Sequence, residues 1–128
     1  MKISVATPNG YEPHPHILEF AKNYQGQFTL TNDVMEASKN GDVFFTDFWA
    51  SMGQEAEAIE RKKIFAGYQI NKEVLKVANK DHMVLHCLPA HRGEEITAEV
   101  FEMHANEIFE EAENRLHAQK AVLVRLLS

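Results

Sequence analysis

Short runs of β-branched and apolar residues alternate along this chain with stretches whose apolar positions recur at helical spacing. Lys2 to Thr7 carries Ile3 and Val5 in alternation and breaks at Pro8-Asn9-Gly10, which reads as a strand and a turn. Pro13 and Pro15 suit a helix entry, and Ile17, Phe20, Ala21 and Tyr24 then follow a helical period until Gly26. Phe28 to Thr31 reads as a second strand. Asp33, with Glu36 three residues on, reads as a capped helix start running to Lys39-Asn40-Gly41. Val43-Phe44-Phe45-Thr46 is a continuous apolar run of the kind buried on both faces of a parallel sheet. From Gln54 to about Phe65 the residues are charged and helix-favouring, with Ala56, Ile59 and Ile64 as a thin apolar stripe. Asn71 caps a helix bearing Val74, Leu75, Val77 and Ala78, and a strand follows from Met83 to Cys87. A helix starts at Thr97, and the longest helical pattern runs from about Ala112 to Leu127.

This alternation predicts an α/β fold: a three-layer, Rossmann-like parallel sheet of four to five strands with helices on both faces, plus a long C-terminal helix. At 128 residues the chain fits one domain, residues 1–128, with a sizeable core. On the last helix, Leu116, Ala121, Val122, Leu123, Val124 and Leu127 offer more apolar surface than one small sheet needs. An exposed apolar face is therefore expected, and with it self-association or a complementing partner.

Composition narrows the class. Hydrophobic residues make up 45% and charged residues 25%, as in globular proteins. The formal charge of -6, with scattered Lys and Arg, argues against a nucleic-acid surface. No apolar run approaches the roughly 18 residues of a membrane span, and the N-terminus lacks a signal pattern. One Cys fits a reducing compartment, so a cytoplasmic location is expected. The seven His and one Cys show no second pair at zinc-site spacing, so no metal is expected. No Gly-rich phosphate loop occurs, and no cofactor is expected.

Two strand ends carry the candidate chemistry. The run Val43 to Thr46 delivers Asp47 to a carboxyl edge, where α/β sheets hold ligands. The run from Met83 delivers His86-Cys87-Leu88-Pro89-Ala90-His91-Arg92-Gly93-Glu94-Glu95-Ile96-Thr97 to an edge of the same kind. Read from residue types alone, that loop is equally a substrate loop or a strand ending in a small buried thiol. Asp47, likewise, is either a ligand or a turn and capping residue.

The loop from His86 to Thr97 resembles the signature loop of ornithine carbamoyltransferases. Two further segments resemble the same family in the same order: Thr46-Asp47-Phe48-Trp49-Ala50-Ser51-Met52-Gly53-Gln54-Glu55 and Glu111-Ala112-Glu113-Asn114-Arg115-Leu116-His117-Ala118-Gln119-Lys120. The resemblance covers the whole chain but only the second, ornithine-binding half of such an enzyme. It implies carbamoyl transfer from carbamoyl phosphate to L-ornithine, giving citrulline and phosphate, in arginine metabolism. It implies catalytic roles for Cys87 and Asp47, with ornithine held by Asp47, Ser51 and Met52. Carbamoyl phosphate would meet Cys87, the Leu88 carbonyl and Arg115, while His86, Pro89, His91 and Arg92 would support the loop. The parent enzyme is implied to be a cytoplasmic homotrimer.

The family's carbamoyl-phosphate half, with its Ser-Thr-Arg-Thr-Arg loop, has no counterpart here. The chain by itself is therefore expected to bind ornithine weakly and to be nearly inactive, because each lost donor costs roughly 2.7 to 4 kcal/mol of transition-state stabilisation. Two other readings remain at this stage: a sibling transcarbamylase for another amine, and a non-catalytic binding or assembly module that kept the fold. A flavodoxin-like signalling domain would leave the three ordered segments without a reason.

Overall fold

Capping side chains set most of the helix starts. The computed structural model describes residues 1–49 and 57–128. Its first strand, β1 (Ile3–Ala6), leads to helix α1 (Pro15–Ala21), where His14 Nδ1 accepts the His16 N–H and Pro15 stands at the first helical position. Strand β2 (Phe28–Thr31) leads to α2 (Val34–Ser38), whose start is capped by Asp33 accepting from the Met35 and Glu36 amides. Strand β3 (Val43–Thr46) precedes α3 (Ala58–Phe65) and α4 (Lys72–Leu75), the latter capped by Asn71. Strand β4 (Met83–His86) is followed by α5 (Ala98–Met103), capped by Thr97, and by α6 (Ala105–Leu127).

The α/β class, the parallel strands and the long terminal helix are all present. The ladders fall into two parallel pairs, β1 with β2 and β3 with β4, rather than one unbroken ladder of four. Helix α2 packs on both strands of the first pair and against α4. An isolated parallel bridge between Ile70 and Ile96 adds a fragment of strand pairing beside the second pair. The final helix begins at Ala105, seven residues before the apolar stripe suggests, because its first turns carry Glu107 and Ile108 into the core side of β4. Of the expected helix from Gln54 to Phe65, the first residues, through Ala56, lie outside those described.

The core lies on one side of the second pair. Phe44 and Val84 from the strands form one cluster with Ile70, Val74, Leu75, Ile96, Val100, Phe101 and Ile108. The alternate positions of β3 face the opposite way, with Val43 57% and Phe45 59% exposed. The outer edge of β4 is closed by a side chain rather than a strand. The Val84 N–H donates to Glu107 Oε2 at 3.0 Å, and His104 Nδ1 donates to the same oxygen at 2.9 Å. Beyond its first turns α6 leaves the body, and Leu116, Leu123, Val124 and Leu127 are exposed. Among the described residues no helix is long and apolar enough to cross a membrane.

Ile108 is fully buried and Leu127 is 84% exposed on the same helix. Ile108→Ala should therefore lower unfolding free energy by about 2 to 5 kcal/mol, and Leu127→Ala by no more than about 0.5 kcal/mol. Urea unfolding of the two variants beside the parent chain checks this.

Candidate functional site

Residues after β3 and β4 meet because the ladder places Thr46 opposite His86. The next residue on each strand is then Asp47 and Cys87. The Cys87 thiol donates to Asp47 Oδ1 at 3.1 Å, and the same carboxylate oxygen accepts the Phe48 N–H at 2.7 Å. From α6, Arg115 Nη1 donates to the Cys87 carbonyl at 3.2 Å. Asp47, Cys87, Leu88 and Arg115 are thus brought to one place. Ser51 and Met52 lie outside the described residues.

Charge around the thiol is biased toward the acidic side. Cys87 is pushed above the ordinary thiol range, first by burial, then by its hydrogen bond to Asp47 and the charges of Asp47 and Glu111. Arg115 pulls the other way and is outweighed. Cys87 is therefore a neutral thiol near pH 7, and no thiolate nucleophile is arranged here. What the cluster offers is a carboxylate for an ammonium group and, one residue away, an exposed guanidinium for an anion.

The segment after Cys87 is held from beneath. His86 and Glu95 are both fully buried, and His86 Nε2 lies 3.0 Å from Glu95 Oε1. The Leu88 N–H donates to His86 Nδ1 at 2.9 Å. Because Nδ1 accepts, the hydrogen bonds assign the proton to Nε2, which donates to the carboxylate. Leu88 has a φ of +54°, a left-handed conformation that costs a residue with a β-carbon on the order of 1 kcal/mol. The Leu88–Pro89 peptide is cis.

The His91 N–H donates to Glu95 Oε1 at 2.6 Å, and the His91 ring stacks on Phe48 at 3.9 Å between centroids. This contact joins the loop after β4 to the residue beside Asp47. Arg92 is engaged elsewhere, pairing with Glu102 at 2.7 Å and lying 4.2 Å above the Phe101 ring, which fastens the loop to α5. Gly93, at φ +91°, turns the chain so that its N–H meets the Ile96 carbonyl.

Sequence reasoning missed Glu95 and Glu111. An acidic pair between a glycine turn and a helix start carries no periodicity that distinguishes a buried carboxylate from a solvated one. Only the His86 at the end of an apolar strand, itself needing a buried partner, hinted at Glu95. Among the described residues no group of three or more His, Cys, Asp or Glu is arranged to hold a metal ion.

Comparison with known proteins gives one consistent result. Residues 1–126 match the family model described as aspartate/ornithine carbamoyltransferase, Asp/Orn binding domain. The ornithine carbamoyltransferase of Thermococcus kodakarensis is 51% identical over 129 residues, covering 98% of this chain and 41% of that protein. That of Methanosarcina acetivorans is 53% identical over 127 residues, covering 99% of this chain and 42% of that protein. Among solved structures, the anabolic ornithine carbamoyltransferase of Campylobacter jejuni superposes with a TM-score of 0.91 at 47% identity, over 98% of this chain and 43% of that one. The enzyme of Pyrococcus furiosus superposes with a TM-score of 0.82 at 51% identity, over 95% of this chain and 40% of that one. The chain thus spans about two fifths of the length of these relatives.

The bias on the thiol has a kinetic consequence, since alkylation follows the thiolate fraction. Asp47→Asn removes both the hydrogen-bonded charge and the coulombic push, so the thiol should fall toward its ordinary range and alkylate several-fold faster at about pH 8. Arg115→Gln removes the one opposing charge and should shift the alkylation profile to higher pH. Iodoacetamide labelling against pH, followed by mass spectrometry, measures both.

Proposed function

This chain belongs to the aspartate/ornithine carbamoyltransferase family as its Asp/Orn binding domain, and we propose that it supplies the amine side of carbamoyl transfer from carbamoyl phosphate to L-ornithine. The observation that carries this reading is the contact of Asp47 with Cys87, with Arg115 on the Cys87 carbonyl. A carboxylate and a guanidinium that both contact Cys87 at a carboxyl edge support a site for an ammonium beside an anion.

In this reading the Asp47 carboxylate takes an ammonium group of ornithine in place of the Cys87 thiol. Transfer needs the attacking amine deprotonated and aimed at the carbonyl carbon. A neutral thiol beside that amine orients it without competing as a nucleophile, and so no covalent intermediate on Cys87 is invoked. Arg115 faces the carbamoyl phosphate as a fixed charged fork, and the Leu88 carbonyl contacts the carbamoyl nitrogen. Ser51 and Met52 contact the amino-acid end of ornithine. The main phosphate site belongs to a carbamoyl-phosphate-binding domain, which the exposed apolar face of α6 meets. A cytoplasmic setting, where a lone thiol stays reduced, fits the single Cys.

Isothermal titration of the chain with amines tests the reading. L-Ornithine should bind, and Asp47→Asn should weaken it at least about tenfold, the cost of losing one charge-assisted pair. L-Aspartate, putrescine and N-acetyl-L-ornithine should bind more weakly than L-ornithine; a preference for one of them would mark a sibling transcarbamylase instead.

A further inference from the structure

We infer that Glu95 is a positioning residue for the Cys87–Leu88 segment, its buried carboxylate locking His86 into the one tautomer that can hold the Leu88 backbone. The inference deepens the proposed carbamoyl-transfer reading and rests on it for the role given to Leu88.

A neutral imidazole has one donor nitrogen and one acceptor nitrogen, and its surroundings choose between the two arrangements. Here the Leu88 N–H and the Glu95 carboxylate select the same arrangement, and of the two the carboxylate is the stronger, charge-assisted partner. Glu95 Oε1 lies 3.0 Å from His86 Nε2 and, when ionised, can only accept, so Nε2 keeps the proton and Nδ1 keeps a lone pair. That lone pair receives the Leu88 N–H at 2.9 Å, and Leu88 is held at φ +54°. In the other tautomer Nδ1–H would oppose Leu88 N–H, two donors face to face, and the left-handed residue would lose its restraint.

The same carboxylate oxygen also accepts the His91 N–H at 2.6 Å, so one atom ties both ends of the 86–91 segment. Glu95 cannot drift, because its own carbonyl accepts the Ile70 N–H at 2.9 Å and the following residue is bridged to Ile70. Burial is complete for both His86 and Glu95, so bulk solvent reaches neither group, and the Oε2 atom of Glu95 has no partner among the described residues. A pair that merely filled the core would not need a particular tautomer, and this distinguishes the two roles.

Long-range nitrogen–proton NMR of the histidine rings in the folded 128-residue chain reads the tautomer directly. His86 should show the Nε2–H pattern at about pH 7, and an Nδ1–H pattern in the parent chain would overturn the inference without any variant. Glu95→Gln keeps the volume but replaces a group that can only accept by a neutral amide that can accept from or donate to the His86 Nε2, so the tautomer is no longer dictated from that side. In that variant the Nδ1–H form should appear and the Leu88 amide should exchange about tenfold faster, while the Val100 and Ile108 amides stay unchanged. Ornithine affinity should fall with it. A folded Glu95→Gln chain with the parent tautomer and unchanged Leu88 exchange would show a filling role and sink the inference. If the parent chain fails to bind ornithine, the function reading fails on its own, and the tautomer and exchange data still decide the role of Glu95.

Discussion

The parallel register of β3 and β4 is the constraint on which the site depends. Thr46 lies opposite His86, so Asp47 and Cys87 leave their strands side by side and touch. A slip of β3 by one residue would turn Phe44 out of the core and separate Asp47 from Cys87 at the same time. The hydrophobic packing that fixes the register therefore also fixes the site. Helix α6 is aligned by the same strand. Glu107 is fastened to the Val84 amide, and Arg115, eight residues or about 12 Å further along the helix, reaches the Cys87 carbonyl, about 10 Å further along the strand.

Charge is divided within a small space. Burial raises the Cys87 thiol most, the hydrogen bond and charge of Asp47 and the charge of Glu111 act in the same direction, and Arg115 opposes them. A thiol pushed upward in this way is protonated near pH 7, which favours the orienting role proposed for Cys87 over a nucleophilic one. A cationic amine and an anionic phosphate can be held next to each other on such a surface, as joining them requires.

Much of this was legible in the chain. Four strands follow from alternation and from short apolar runs, the caps Asp33 and Asn71 from short polar residues ahead of helical patterns, and Thr97 as a helix start. Asp47 and Cys87 were legible because each follows an apolar strand directly. The contact between them was not, since pairing register depends on packing that no local pattern records. The early start of α6 was hidden because Glu107 reads as a surface carboxylate until its bond to the Val84 amide is seen. Glu95 was hidden for the same reason: its burial comes from the Ile70 bridge and from His86, both distant in sequence. The division of the sheet into two pairs reflects strands of only four residues each, too short for sequence to show where a ladder ends.

What these residues can and cannot do is separated by one assay: citrulline formation by the purified 128-residue chain supplied with L-ornithine and carbamoyl phosphate, beside a reaction without protein. If, as proposed, this chain supplies the amine side and the main phosphate site belongs to another domain, the rate should be indistinguishable from the blank. Sustained turnover would contradict this division, because it would require a complete phosphate site within this chain or between copies of it.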